Sequence, residues 1–143
     1  MNTKGNLYTS YKEGFKNNLE GLFLYDNKGL NITYKQLDSE TAKLANGLKE
    51  LGLSEGDRVT IQANKCIEMV FLYLACIRSN IIFHPLNPAY KETELSYFLE
   101  NAKPRLFISN EETVESVKYL NLEHNIDHLF TLNNDGTGDF LTI

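Results

Sequence analysis

A long, almost wholly apolar segment constrains the fold of this chain more than any other feature of its sequence. The segment runs through residues 69–77, turns at Ser79 and Asn80, continues as the short apolar run 81–83, and leaves through Pro85 and Pro88. A helix that is apolar on every face must be covered on every side, so neighbouring elements are expected to surround it. The apolar run is too short to cross a bilayer, and we therefore expect a soluble protein without a membrane partner.

Short apolar runs alternate with helical patterns through the rest of the chain. This β-α-β rhythm predicts an α/β fold with a doubly wound, mostly parallel sheet, right-handed crossovers and flanking helices on both faces. The predicted strands are residues 58–63, 81–83, 106–108 and 128–132, the second of them fully buried, and the predicted helices are residues 66–79, 90–102 and 111–121.

A β-hairpin is predicted before the parallel sheet, with strands at 22–25 and 30–33 around a turn at 26–29. Residues 1–18 are polar with scattered aromatic residues, which leaves a loose arm and a short helix as alternatives. Leu37, Thr41, Leu44, Leu48 and Leu51 recur at helical spacing after the hairpin. The whole chain, 1–143, is interpreted as one compact unit.

Several residues are predicted to begin or end the helices. Thr33 is a suitable N-cap for a helix that starts at Tyr34, and Gly52 is a suitable left-handed terminator for it. Asn64 is the expected N-cap of the apolar helix. Arg78 in its last turn suits the negative end of the helix dipole, and Asn80 is the expected left-handed exit residue.

The composition is that of a globular domain with an acidic balance. Hydrophobic residues make up 42% and charged residues 23% of the chain, and the formal net charge is −5. Without a dense basic cluster, this balance argues against nucleic acid or an anionic membrane as the main partner. The N-terminal residues lack the apolar core of a signal peptide, so we expect a cytoplasmic protein.

The two cysteines are predicted to be reduced thiols. Cys66 and Cys76 lie on the same predicted helix, about 15 Å apart along its axis, which is too far for a disulfide in a regular helix. Cys66 begins the helix, where a thiolate would be stabilised, but a small apolar residue at the start of a buried helix is the favoured interpretation.

The motifs that bind phosphate or metal are not found in the sequence. Neither G-x-x-x-x-G-K-[ST] nor G-x-G-x-x-G occurs between a strand and a helix, and residues 135–139, Asp-Gly-Thr-Gly-Asp, are interpreted as a tight turn. His84, His124 and His128 are candidate metal ligands together with the two thiols. Their spacing matches no metal motif, so no metal site is predicted.

Three further residues or pairs could take part in a site. His84 precedes Pro85 near the carboxyl end of a strand, where open α/β sheets bind ligands, although a hydrogen bond to a loop carbonyl is the favoured role. Asp57 and Arg58 are interpreted as a local ion pair, and Arg105 as a solvated residue at the start of a strand. The residues alone name no catalytic group and leave any cofactor-binding residues unknown.

Several short segments follow one another in a recognisable order and spacing: ITYKQL, LANGL, LGL, GDRV, YLACIRS, PLNPAY, ELSYF and AKPRL. In this order they resemble the N-terminal part of the AMP-forming acyl-CoA synthetases, the adenylate-forming superfamily, over roughly residues 20 to 142. Within that superfamily the segments "LYLACIRS", "PLNPAY" and "ELSYFLENAKPRL" are most similar to malonyl-CoA synthetases. Asn80 stands where the family usually has glycine, but asparagine also tolerates a left-handed conformation.

The resemblance implies a two-step ligase reaction that uses ATP, Mg²⁺ and coenzyme A. The family joins a carboxylate to the α-phosphate of ATP, releases pyrophosphate, and transfers the acyl group to the coenzyme A thiol. Its phosphate-binding groups lie in a Ser/Thr/Gly-rich loop and in later motifs, and none of them matches a residue here. Since the chain stops at Ile143, before that loop is expected, the resemblance implies an incomplete N-terminal subdomain of the large AMP-binding domain.

The resemblance therefore implies a full-length ligase for malonate or a similar small dicarboxylate. This chain is expected to be a part of that ligase and to be inactive by itself. The remaining C-terminal portion of the same enzyme would then be its partner. Two alternatives stay open. The chain could belong to another acyl- or aryl-CoA ligase of the superfamily, or it could be a non-catalytic α/β binding module.

Overall fold

The computed structural model describes residues 5–25, 29–119 and 126–143, and these form an α/β fold with two sheets. The order of elements agrees with the predicted one. The predicted turn residues Asp26, Asn27 and Lys28, together with Leu120 and His124, lie outside the described residues. The elements are α1 (Leu7–Phe15), β1 (Leu22–Tyr25), β2 (Asn31–Thr33), α2 (Tyr34–Glu50), β3 (Arg58–Gln62), α3 (Ile67–Arg78), β4 (Ile82–Pro85), α4 (Glu92–Ala102), β5 (Leu106–Ser109), α5 (Glu111–Tyr119) and β6 (His128–Thr131), followed by a short 3-10 helix, Asp139–Thr142.

The larger sheet contains four parallel strands in the order β4-β3-β5-β6, which confirms the predicted parallel sheet. The smaller sheet is the predicted antiparallel hairpin of β1 and β2. The step from β3 to β4 runs in the opposite direction to the later steps, and α3 lies on the opposite face from α4 and α5. Reversing both the direction and the face preserves the hand of a crossover, so the three crossovers share one hand.

Alternating side chains of the strands feed two separate cores on the two faces of the sheet. Val59, Ile61, Leu106 and Ile108 pack against α2, α3 and the 3-10 helix, while Phe107 packs against α4 and α5. Because side chains of a strand alternate between faces, a central strand covered on both faces is apolar at every position. β5 is buried throughout and follows this rule at its first three positions, while its last residue, Ser109, is polar and donates a hydrogen bond to the Gln62 carbonyl oxygen.

Residues 7–15 form the short helix α1, one of the two alternatives predicted for residues 1–18. Asn6 caps α1 by accepting a hydrogen bond from the Tyr8 amide at 2.9 Å. The buried Tyr8 packs with Leu37 of α2 and Leu74 of α3. This third, smaller cluster holds α1 against the helical layer on one face of the sheet.

Most predicted helix ends are confirmed, with one exception. Thr33 and Gln36 form a capping box at the start of α2, and Gly52 and Asn80 have positive φ values of 85° and 55°. The prediction that Asn64 caps α3 is wrong. Cys66 occupies the N-cap position without a side-chain cap, and the Asn64 side chain instead donates to Asn134 Oδ1 at 2.8 Å.

The apolar helix α3 and the strand after it are less covered than predicted. Tyr73 of α3 is exposed, and Ile82 of β4 is 46% exposed although the sequence predicts a fully buried strand. The reason is topological, since β4 lies at an edge of the described sheet and has a neighbouring strand only on the β3 side. Tyr73 packs edge-on against Phe83 beside this edge, with ring centroids 5.4 Å apart.

A half-buried group of charges ties α1, α2 and α3 together. Asp38 of α2 accepts hydrogen bonds from Tyr8, Lys12 and Arg78, at 2.8, 2.8 and 2.6 Å. The Arg78 guanidinium also lies over the Tyr8 ring, 4.3 Å from its centroid. Arg78 lies in the last turn of α3, as its helix-dipole role predicts, but its side chain is committed to this group, the Asp38 cluster.

Within the described ranges, no helix combines the length and the apolar character that a membrane span requires.

Candidate functional site

The strand order places the candidate site at the carboxyl ends of β3 and β5. These two strands are neighbours, and the chain leaves them in opposite directions, towards β4 from one and towards β6 from the other. Open α/β sheets bind ligands in the crevice outside such a switch point. We call the segments that meet there, residues 62–66, 86–90, 109–110 and 132–136, the carboxyl edge.

A polar groove of about 440 Å³ lies at the carboxyl edge between the segments that follow β3 and β6. The hydrogen bond between Asn64 and Asn134 spans the groove. Lys65, Glu68 and Asp135 line it with charges of both signs, so the groove carries no concentrated positive charge. Such a lining suits hydrogen-bonding groups of a ligand better than a triphosphate.

Gln62, at the end of β3, is a buried polar residue at the switch point. Its Nε2 donates to the carbonyl oxygens of Asn87 and Tyr90, at 3.0 and 2.9 Å. Its backbone carbonyl accepts from the Ser109 hydroxyl at 2.8 Å. These bonds join β3 to the segment after β4 and to the end of β5.

Two asparagines at the carboxyl edge are used by the chain itself. The Asn110 side chain accepts from the Thr113 amide at 2.8 Å at the start of α5, and the Asn133 side chain accepts from the Glu111 amide at 3.0 Å. Both therefore satisfy amides that a helix leaves without intrahelical partners.

Residues 135–139 form a closed turn, as predicted, rather than a phosphate cradle. Asp135 accepts from both the amide and the hydroxyl of Thr137, which lowers the pKa of its carboxyl. Asp139 accepts from the hydroxyl of Thr131 at 2.8 Å. A Cβ on Gly138, at φ +141°, would lie 2.1 Å from the Thr131 carbonyl oxygen, so only glycine fits this turn.

The described histidines each form a hydrogen bond with another group of the chain. Nδ1 of His84 lies 2.9 Å from the Thr60 hydroxyl, and Nε2 of His128 lies 2.8 Å from the Leu51 carbonyl oxygen. The predicted loop-carbonyl partner of His84 is therefore wrong, because His84 stands beside Thr60 within the sheet instead of beyond its edge. Burial, and to a lesser extent the charge of Arg58, lowers the pKa of His84 and favours the neutral imidazole.

Metal ligands and reactive thiols are not assembled in the part of the chain that the structure describes. Groups of three or more His, Cys, Asp or Glu residues that could hold a metal ion do not occur there. Cys66 and Cys76 are both free, as expected. Burial raises the pKa of Cys66, and that of Cys76 to about 12, so both are protonated thiols near neutral pH.

The predicted pairing of Asp57 with Arg58 is wrong. Asp57 forms its ion pair with Arg105, at 3.1 Å, and also accepts from the Ser54 amide. Arg105 in turn pairs with Asp127 and donates to the Gly52 carbonyl oxygen at 2.8 Å. Since Arg105 bridges three segments at the amino end of the sheet, it is more than the solvated residue that its position predicts.

Comparison with known proteins identifies the family. The family profile described as AMP-binding enzyme matches residues 15–136, most of the chain. The chain belongs to the AMP-binding enzyme family. The predicted resemblance to adenylate-forming acyl-CoA synthetases is thereby confirmed.

Individual AMP-binding enzymes match at moderate identity. An acetyl-coenzyme A synthetase of Pseudoalteromonas atlantica is 31% identical over 67% of this chain and 15% of its own length. The medium-chain fatty-acid–CoA ligase of Escherichia coli is 33% identical over 59% of this chain and 15% of its own length. The chain thus spans about one seventh of the length of these two relatives.

Solved structures extend the similarity over nearly the whole chain. MatB from Rhodopseudomonas palustris, in its apo and its ATP-bound crystal structures, is 29% identical to this chain, with a TM-score of 0.84. The match covers 96% of this chain and 27% of MatB in both cases. The resemblance to malonyl-CoA synthetases fits this structural similarity.

The residues that organise the carboxyl edge of this AMP-binding chain were not predicted from the sequence. Gln62 was not considered, and Asn64 was assigned to a helix cap rather than to Asn134. One signal for Gln62 was available: it lies in the predicted strand 58–63, and a polar group buried in a strand usually has a specific hydrogen-bonding role.

Proposed function

We propose that this chain is the N-terminal subdomain of an ATP-dependent acyl-CoA synthetase that acts on malonate or a similar small dicarboxylate. The similarity to MatB, at a TM-score of 0.84 over 96% of the chain, carries the proposal. The ATP-bound state of MatB supports the use of ATP. In this reaction a carboxylate oxygen bonds to the α-phosphorus of ATP as pyrophosphate leaves, and the thiol of coenzyme A then displaces AMP from the acyl carbon.

The part of the chain described by the structure fits the role of a scaffold better than that of a phosphate site. The glycines at 136 and 138 lie in a turn closed by the carboxylates of Asp135 and Asp139, which would repel a triphosphate. The groove beside it is lined by amides and mixed charges. We therefore propose that the groups that hold the nucleotide phosphates, Mg²⁺ and coenzyme A belong to other parts of a longer protein.

The proposed ligase is placed in the cytoplasm, where ATP and coenzyme A are available. Small carboxylic acids, rather than nucleic acid or membranes, are its proposed partners, in keeping with a net charge of −5.

The isolated 143-residue chain is expected to have no ligase activity, because on this proposal the phosphate-binding groups of the reaction belong to other parts of a longer protein. Carboxylate-dependent exchange of labelled pyrophosphate into ATP measures the first step directly. We expect the exchange with malonate to equal the exchange without an acid. Exchange above that background would contradict the proposal that this chain is only a subdomain.

A different acid is the second candidate. The identity to acetyl-coenzyme A synthetases, at 30–35%, is at least as high as the identity to MatB, at 29%. A dicarboxylate pocket needs an arginine that binds the second carboxylate through two parallel hydrogen bonds. Finding such an arginine in the acid pocket of the complete protein would favour malonate, and an apolar wall there would favour acetate or a fatty acid.

A further inference from the structure

The buried side chain of Gln62 donates two hydrogen bonds to an exposed loop at the carboxyl edge. The exit loop, residues 86–90, follows Pro85, the last residue of β4. Asn87, Pro88 and Ala89 of this loop are exposed. Exposed residues bury little apolar surface, so hydrogen bonds must supply much of the order of such a segment. Two of these bonds come from Nε2 of Gln62, to the carbonyl oxygens of Asn87 and Tyr90.

The loop also has internal hydrogen bonds that fix its shape but not its position. The Asn87 side chain accepts from the Ala89 amide at 2.9 Å, and the Asn87 carbonyl oxygen accepts from the Tyr90 amide at 3.1 Å. At the end of the loop, the Tyr90 ring stacks on Phe98 of α4, with centroids 5.2 Å apart. Gln62 is therefore the contact that joins the middle of the loop to the switch point of the sheet.

One polar atom of the Gln62 side chain lacks a hydrogen bond among the described residues, which lowers the stability of the fold. Gln62 is 4% exposed, and its Oε1 has no hydrogen-bond partner among the described residues. A buried acceptor without a partner is unfavourable, and a methionine of similar shape would not carry that cost. The amide is thus suited to its two donated bonds rather than to packing.

We propose that Gln62 is a positioning residue that sets the exit loop at the border of the ligand site. The start of the loop is held independently of Gln62, because Leu86 is buried in the core and its amide donates to the Ile61 carbonyl oxygen at 2.8 Å. The position of the exposed residues 87–89 relative to β3 then depends on the Gln62 amide. This inference rests on the proposed function only in treating the carboxyl edge as a ligand site. The positioning role itself can be tested without activity.

Hydrogen exchange of the 143-residue chain, followed residue by residue by NMR, tests the proposal. Gln62→Met removes the Nε2 donor and puts an apolar side chain of similar length in its place. We expect the protection factors of Ala89 and Tyr90 to fall about tenfold, with a similar midpoint of thermal unfolding. Wild-type protection at both amides in Gln62→Met would overturn the proposal.

Ser109→Ala is the matched control. It removes a buried hydrogen bond to the backbone of Gln62, at 2.8 Å, but leaves both bonds from Nε2 to the loop. We expect this variant to keep the protection of Ala89 and Tyr90. A loss in Ser109→Ala equal to that in Gln62→Met would mean that any local loosening frees the loop, and would likewise overturn the proposal.

Gln62→Glu separates hydrogen bonding from packing, including the case in which Gln62→Met does not fold. A protonated carboxyl can donate to one loop carbonyl, whereas the ionised form faces two carbonyl oxygens and repels them. We expect the loop protection factors of Gln62→Glu to be high at acidic pH and to fall as the pH rises. The adjoining elements carry other ionisable groups, on His84, Tyr90, Lys91 and Glu94. These groups are the same in the wild type and in Gln62→Glu, so a pH series of the wild type serves as the control for them. Protection in Gln62→Glu that follows the wild-type series would overturn the proposal.

Discussion

Replacing Phe107 by alanine is expected to lower the free energy of unfolding by about 3–5 kcal/mol. Phe107 is fully buried in β5 and is the largest fully buried side chain described. It packs against Leu95, Leu99, Val114 and Val117, which α4 and α5 contribute to one face of the sheet. Because these helices cannot close completely around the gap, the loss combines the transfer term with a cavity term.

Chemical denaturation, followed by circular dichroism, measures this loss. Tyr119→Ala on α5 is the control, since Tyr119 is 84% exposed and its replacement should change the free energy of unfolding by less than about 0.5 kcal/mol. A loss below about 1 kcal/mol for Phe107→Ala would contradict a core in which α4 and α5 jointly cover this face of the sheet.

The second large effect is expected at the Asp38 cluster. Burial alone would raise the pKa of Asp38, but hydrogen bonds from Lys12, Arg78 and Tyr8 outweigh it and lower the pKa to about 2. Relative to the usual carboxyl value of 3.8, this difference corresponds to about 2 kcal/mol of stability near neutral pH. Asp38→Ala should therefore cost about 2 kcal/mol at pH 7, because it also leaves the half-buried Arg78 without its carboxylate.

The pH dependence of this effect has a definite sign. The folded protein has the lower pKa, so the contribution of Asp38 is complete above about pH 4 and is lost as the pH falls towards about 2. The difference in unfolding free energy between wild type and Asp38→Ala should shrink over that range. Glu40→Ala, which breaks an exposed pair with Lys43 on the same helix, should cost at most about 0.5 kcal/mol. A cost for Asp38→Ala that is the same at pH 7 and pH 3 would contradict the electrostatic account.

The order of secondary-structure elements could be predicted because strong local signals mark it. Thr33 and Gln36 have the spacing of a capping box, and Gly52 and Asn80 are residue types that tolerate positive φ. The apolar strands alternate with amphipathic helices. Each signal depends on residues close in sequence, so the sequence alone contains it. The resemblance to known enzymes added the family, which the elements themselves do not specify.

Side-chain partners across the fold could not be predicted in the same way. Arg105 joins Asp57, Asp127 and the carbonyl of Gly52, segments that are far apart in sequence. Asn64 was assigned to the nearest helix but bonds to Asn134, seventy residues along the chain. Such contacts arise from the strand order, in which β3 lies between β4 and β5. The exposure of Ile82 has the same origin, since nothing local shows that β4 is an edge strand.

Domain replacement in MatB tests the central claim most directly. A chimera would carry this chain in place of the portion of MatB that it matches, 27% of that protein. If the chain is an N-terminal subdomain of an acyl-CoA synthetase, the chimera should show carboxylate-dependent exchange of pyrophosphate into ATP, and MatB lacking that portion should not. A chimera that is folded and monodisperse but gives no exchange above the background without an acid would contradict the claim.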